Sequence, residues 1–173
     1  MDAFPEVFEV ESRPGVVLRK LGLDDWAIEL ELARVPDVPT WTMYPADLTE
    51  EQARSRAARN VEGAEAGSGI RYVLVEDGVA LGTAGFGRGE HGFEVFYALK
   101  QEDRGRGLVT AAVATLVAWL DAQGEPAAWL STLDGNAASE AVAIRCGFAP
   151  YLAGTHTDGR PLTVWRRQQT KHP

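Results

Sequence analysis

The sequence predicts an α+β domain, and three observations carry that prediction. Two alternating apolar runs, IRYVLVE (70–76) and VALGTAGF (79–86), meet across Asp77-Gly78, a strong two-residue signal for an antiparallel hairpin. FEVFYAL (93–99) and AAWLSTL (127–133) flank a long apolar segment, and a strand–helix–strand crossover of that length favours a parallel pair. Two further strands close the chain around Asp158-Gly159, the second being LTVWRR.

The remaining elements follow in chain order. Residues 1–14 read as an N-terminal extension, 15–168 as one domain and 169–173 as a tail. The stretch 16–21 is a strand. Asp24 can cap a helix running to about residue 35, with Trp26, Ile28, Leu30 and Leu32 as its buried positions. VPDVPTWTMYP (35–45) is a proline-punctuated loop. Thr49 and Gln52 have the spacing of a capping box, opening an alanine-rich, arginine-bearing helix to about residue 63. The apolar helix after residue 107 ends near Gln123, with Gly124 placed for a left-handed C-terminal turn and Pro126 just beyond. NAASEAVAIRCG (136–147) is a short helix closed by its glycine. The order is βααβββαβαββ.

Composition narrows the class. One domain suits 173 residues, and 45% hydrophobic with 24% charged residues is ordinary for a globular protein. The longest apolar run, 108–120, is too short for a membrane span, and the acidic, proline-broken N-terminus has no signal-peptide pattern. A lone cysteine, Cys146, excludes an internal disulfide and a cysteine metal cluster; His91, His156 and His172 are too scattered for a zinc site. No metal and a cytoplasmic location are therefore expected. A net charge of −8 argues against nucleic acid and is compatible with a cationic partner such as an amine.

RGRGLVTAA (104–112) sets glycines and arginines directly against the most apolar helix. A helix start exposes unpaired N–H groups and the positive end of the helix dipole, and glycines let a ligand approach that backbone. Arg104 to Val109 can thus cradle an anion, with the two arginines adding charge where phosphates arrive. A P-loop would need Gly-Lys-Ser/Thr, and the Rossmann pattern a third glycine where Thr110 stands. What remains is arginine-x-x-glycine-x-small, in Arg104, Gly107 and Val109. The alternative is a surface turn with glycines for geometry. In NAASEAVAIRCGF (136–148), Asn136 and Ser139 lie one turn apart after a strand; the alternative is a plain N-cap.

With both motifs in this order, the sequence resembles the GNAT acetyltransferases, in particular the branch that acetylates ribosomal-protein N-termini and related amines. The likeness runs from about residue 16 to 165 and is strongest in FYALKQEDRGRGLVTAAVATLV and LDGNAASEAVAIRCGF. It implies a mixed, mostly antiparallel sheet flanked by about four helices, with strands 93–99 and 127–133 splayed apart. It implies acetyl-CoA as donor, bound by Leu99, Arg104, Gly105, Arg106, Gly107, Leu108, Val109 and Asn136. Pantetheine amides would pair with the strand edge that the splay exposes. Val109 departs from the family pattern, which has glycine or alanine there.

Acetyl transfer to an amine needs a free amine, stabilisation of the oxyanion and a proton for the thiolate. Strand alternation puts Glu94, Phe96 and Ala98 on one face and Val95, Tyr97 and Leu99 on the other. Glu94 is a candidate base, or else a solvated strand-end charge. The resemblance makes Ser139 the acid; Tyr97 is an alternative acid or, as an aromatic on a central strand, part of the core. It places Trp41 and Tyr44, with Met43 between them, at the acceptor pocket; hydrophobic anchoring of the loop is the other reading. The expected acceptor is a peptide N-terminus or a small-molecule amine, and a homodimer is compatible. Two other classes stay open: a non-catalytic CoA-binding module, and a nucleotide-binding protein, against which the missing P-loop lysine counts.

Overall fold

The computed structural model describes residues 3–169. His172 and most of the expected tail lie outside them. The chain runs β1 (Val7–Glu9), β2 (Val16–Lys20), α1 (Trp26–Ala33), α2 (Val38–Trp41), α3 (Glu50–Glu65), β3 (Gly69–Glu76), β4 (Val79–Arg88), β5 (Phe93–Leu99), α4 (Leu108–Ala122), β6 (Ala127–Leu133), α5 (Ala137–Arg145), β7 (Ala149–Thr155) and β8 (Pro161–Gln168). The strands form one sheet in the order β1-β2-β3-β4-β5-β6-β8-β7. Every neighbouring pair is antiparallel except β5 with β6.

The parallel pair is the feature that shapes the molecule. β5 and β6 are in register only at Phe93 with Ala128 and Glu94 with Trp129. Beyond Glu94 the two strands part, although each continues to pair with its outer neighbour, β4 or β8, to its end. The expected splay is present, and Glu94 stands at its apex.

One core lies on each face of the sheet. α4 covers the first with Leu108, Ala112, Val113, Leu116, Val117 and Leu120, a stripe at three- and four-residue spacing. It packs on Leu18, Tyr72, Leu74, Phe86, Val95, Leu99 and Leu130. α1 and α3 cover the other face. Ala53 and Ala57, one turn apart and fully buried, let α3 lie close to Ile28, Leu32, Val73 and Ala98. The Thr49–Gln52 capping box forms in both directions, at 3.2 and 2.9 Å. At the β3–β4 turn, Asp77 (φ 50°) and Gly78 (φ 81°) are both left-handed, as a two-residue hairpin of the I′ kind requires.

Three sequence expectations change. Residues 1–14 are not merely an extension: β1 pairs with β2, and Phe4 and Val10 are buried in the α4-side core, Phe4 against Phe86 at 5.6 Å between ring centres. Three-residue edge strands carry too little periodicity to be read. Asp24 does not cap α1. A single 3₁₀ turn, Leu23–Asp25, precedes the helix, and the Asp25 carboxylate takes the Gly22 N–H at 2.7 Å and a two-pronged Arg19 at 2.7 and 2.9 Å. Finally, loop 35–45 contains the helical turn α2, started by Pro39 in its first turn, where a missing N–H costs nothing.

Candidate active site

The splay opens a cleft of about 1160 Å³. Of the residues singled out in the sequence, Trp41, Tyr44, Glu94, Leu99, Arg104, Gly105, Gly107, Leu108, Val109, Asn136 and Ser139 all line it; Arg106 does not. Ala98 packs in the α1/α3-side core and Val95 and Leu99 in the α4-side core, so β5 alternates as expected. Both faces of β5 reach the same cleft. The cleft therefore crosses the sheet at the splay, open to a different set of residues from each side.

On the α4 side the backbone forms the wall. Gly105 and Gly107 are both left-handed at φ 76°, and Gly107 is the N-cap of α4 without a side-chain cap. The first hydrogen bond back into the helix is Ala111 N–H to the Gly107 carbonyl. The N–H groups of Leu108, Val109 and Thr110 thus have no helical partner, at the positive end of the dipole. Around Gly105 even an added methyl would meet nothing within 4 Å. Val109 lines the cleft and packs in part on the α4-side core.

The two arginines are not the free charges the sequence suggested. Arg104 grips Asp37 at 2.6 and 2.9 Å and donates to the Leu99 carbonyl at 3.2 and 3.3 Å, tying α2 to the end of β5. The same contact holds the Asp37 carboxyl below its usual range. Arg106 turns away onto Glu76, 2.6 Å from both carboxylate oxygens, with Asp103 at 3.6 Å. A third arginine, Arg13 from the turn between β1 and β2, reaches Gly107 but, like Arg106, does not line the cleft. A methyl group on Gly107 would meet its Nη2 at 2.6 Å. Nothing local in the sequence marks Arg13, because a β1–β2 turn brings it there.

At the start of α5 the Asn136 side chain accepts the Ser139 N–H at 3.2 Å, so Asn136 is an N-cap as well as a lining residue. Ser139 stands beside Tyr97. Burial pushes the Tyr97 phenol up to about 12, with Ser139 pulling in the other direction. Yet the Tyr97 hydroxyl closes no well-formed hydrogen bond, which leaves a buried donor facing the region where a ligand enters. Cys146 is half-buried, its thiol directed to the Thr110 carbonyl at 3.4 Å, and burial pushes its pKa up, against any activated thiolate.

On the α1/α3 side the wall is polar and charged in a way the sequence reading missed. Glu29 of α1 is fully buried. Arg56 of α3 donates to it at 3.0 Å, and Arg71 of β3 lies 3.3 Å away. Arg71 also donates to the Tyr44 hydroxyl at 3.1 Å and to Thr83 at 2.9 Å. Tyr44 is thus a buried wall that steers an arginine, whereas Trp41 and Met43 are exposed at the mouth, Met43 with its sulfur 3.0 Å from His156 Nε2. The available signal was an arginine inside the apolar run IRYVLVE. Among the described residues no three His, Cys, Asp or Glu side chains are grouped to hold a metal, and no helix is long and apolar enough to cross a membrane.

Residues 16–149 match the acetyltransferase (GNAT) domain. No curated protein matches the sequence. Among solved structures, the ribosomal L7/L12 alpha-N-protein acetyltransferase RimL in complex with coenzyme A superposes with a TM-score of 0.84 at 17% identity, over 94% of this chain and 98% of that one. The microcin C7 self-immunity acetyltransferase MccE, bound to acetyl-CoA and AMP, gives 0.82 at 17% identity over 96% and 98%. The ribosomal-protein-S5-alanine acetyltransferase from Vibrio fischeri gives 0.76 at 19% identity over 94% and 96%. At these identities the likeness is one of fold. The domain match itself spans most of the chain, from β2 to the start of β7, and takes in the apex, the cradle and the start of α5: this protein belongs to the GNAT acetyltransferase family.

Proposed function

We propose that the protein is an acetyl-CoA-dependent N-acetyltransferase acting on a primary amine. One observation carries this reading. The splay at Glu94 joins an anion cradle, a buried unpaired phenol beside a serine, and a carboxylate into one cleft that opens on both faces of the sheet. The cradle N–H groups of 108–110 suit a pyrophosphate, and the β5 edge exposed after Glu94 suits the amides of pantetheine.

In this reading the amine enters from the α1/α3 face and its nitrogen attacks the thioester carbonyl. A C–N bond forms, the C–S bond breaks, the amine loses a proton and the thiolate takes one up. Glu94, on the acceptor face of β5, accepts the amine proton directly or through water. Ser139 supplies the proton to the thiolate, backed by Tyr97, whose raised pKa keeps it protonated across the working range. Asn136, by capping α5, fixes where Ser139 points.

The test pairs two matched glycines. Gly105 and Gly124 are both left-handed, at φ 76° and 79°, and both open into empty space, but only Gly105 lines the cleft. A ligand at a hundredfold excess over its Kd stabilises a fold by about 2.7 kcal/mol, or roughly 5–10 °C for a domain of this size. CoA should raise the melting temperature of wild type and Gly124→Glu by that order. Gly105→Glu should abolish the shift. An unchanged shift in Gly105→Glu would move the donor site elsewhere. A CoA shift without turnover of any amine would favour the non-catalytic binding module instead.

A further inference from the structure

The acidic chain as a whole suggests a cationic partner, but the acceptor end of the cleft is built the other way. Arg56 and Arg71 share the single buried carboxylate of Glu29, leaving one positive charge over. Their aliphatic and π surfaces are committed: Arg56 lies over the Tyr44 ring at 4.5 Å and Arg71 over the Phe96 ring at 4.4 Å. Their terminal nitrogens are committed only in part, by Arg71 Nη1 to Tyr44 and Thr83. Among the described residues neither Nη of Arg56 nor Nη2 of Arg71 donates to a protein acceptor. Both side chains line the cleft at about one-fifth exposure or less, 19% and 12%. Arg56, held this far from water with both Nη atoms open, matches a planar oxyanion in geometry as well as charge, and Arg71 adds one open nitrogen, Nη2.

Position gives the spacing. Arg71, Gly85 and Phe96 are register partners across β3, β4 and β5, and Phe96 lies two residues from Glu94 on the same face. Two strand residues span roughly 7 Å. The acceptor end of the cleft therefore presents a negative group at the splay and a positive fork over Phe96, roughly 7 Å along the strand.

We infer that the acceptor is an amine bearing an anionic group, carboxylate or phosphate, about one residue from the amine, with the amine at Glu94 and the anion on Arg56 and Arg71. This rests on the acetyl-transfer reading above. It selects acidic peptides and amino-acid-like amines over polyamines and polycationic antibiotics, whose second charge would meet the arginines.

The experiment measures acetyl-CoA turnover with four acceptors: the dipeptide amides Ala–Asp, Ala–phosphoserine and Ala–Asn, and putrescine. Charge-assisted hydrogen bonds in a partly dry site discriminate by about 10- to 100-fold. Ala–Asp or Ala–phosphoserine should exceed Ala–Asn by that factor in kcat/KM, mostly through KM, and whichever is higher names the anion. Putrescine should be the poorest. In Arg56→Gln the acidic-to-neutral ratio should collapse towards one, and Arg56→Lys should restore part of it. A purely structural arginine would lower all acceptors alike and leave the ratio intact, which would overturn the inference. Equal rates for Ala–Asp, Ala–phosphoserine and Ala–Asn in wild type, or putrescine as best acceptor, would overturn it while leaving acetyl transfer standing. No turnover with any of the four, in protein that CoA still stabilises, would overturn the acetyl-transfer reading and this inference with it.

Discussion

The two ends of the cleft are supported in opposite ways. The cradle is made of consecutive residues, 104–110, whose backbone does the work, and behind it stands the purely apolar stripe of α4. The acceptor end is made of side chains from α1, α3, β3 and the segment after α2, and what stands behind it is a buried charge, Glu29. A backbone site tolerates sequence change and binds a cofactor common to a whole family. A site of convergent side chains is costly to keep folded.

That contrast can be broken by attacking each support. Leu116→Asp puts an unpaired charge at a fully buried position behind the cradle and should leave no folded population, seen as loss of the cooperative urea transition. Glu29→Gln strands two arginines and should cost about 3 kcal/mol, the low end for a broken buried pair because both arginines reach the cleft. If Glu29→Gln is neutral in urea melts, the cluster is not under electrostatic tension and the two ends are not different in kind.

The chemistry between the ends gives the next effect. Ser139→Ala should lower kcat by about 10²- to 10⁴-fold with acetyl-CoA affinity nearly unchanged, the range for loss of a general acid. Glu94→Gln should lower the neutral-pH rate and recover part of it at high pH, where the amine is free without help. Combined, the two losses should be less than additive if both act on one transition state. Ser139→Ala with unchanged kcat across pH, acceptor saturating, would reduce Asn136 and Ser139 to the first turn of a helix.

How much of this was legible in the sequence follows the same divide. The β3–β4 hairpin and the α3 capping box are encoded within a few residues each, and the crossover by two apolar strands around one apolar helix; each appears where the sequence placed it. The splay at Glu94 came through the family resemblance, because no local pattern marks where a ladder stops. The Glu29–Arg56–Arg71 cluster joins residues distant in sequence, and an arginine in an alanine-rich helix looks like ordinary solubility. The ion pairs of Arg104 and Arg106 were hidden for the same reason. Asp37 and Glu76, which neutralise them, lie far away along the chain.

Asp37 allows a pH test of that neutralisation. The hydrogen bond from Arg104 lowers its folded pKa. A lowered carboxyl contributes stability that is present above the unfolded value, about 3.9, and lost as pH falls through the folded one. The pair is more than one-third exposed on both sides, so screening limits it to under about 1 kcal/mol. Asp37→Asn should therefore be slightly less stable than wild type at pH 6–7, and the gap should close below pH 4. A gap that stays constant as pH is taken down through the whole carboxylate range would mean that Asp37 acts through packing rather than charge.

The smallest effects decide which arginine faces the donor. Neither Arg106 nor Arg13 lines the cleft; Arg106 is held by Glu76, while Arg13 lies against Gly107. An exposed charge facing a phosphate works through a screened Coulomb interaction, so its loss should show mainly at low ionic strength. Arg13→Ala should raise the Kd for CoA about fivefold in low salt, an effect that fades towards 0.5 M salt, on the order of a few-ångström Debye length. Arg106→Ala should leave both the Kd and the urea midpoint where they are, since it removes a surface pair with no ligand in reach. If the outcomes are exchanged, with Arg106→Ala weakening CoA in a salt-dependent way and Arg13→Ala silent, then Arg106 leaves Glu76 when the donor binds. The cradle would then take its charge from its own turn, as the spacing RGRG first suggested, and the N-terminal strand would serve the core alone.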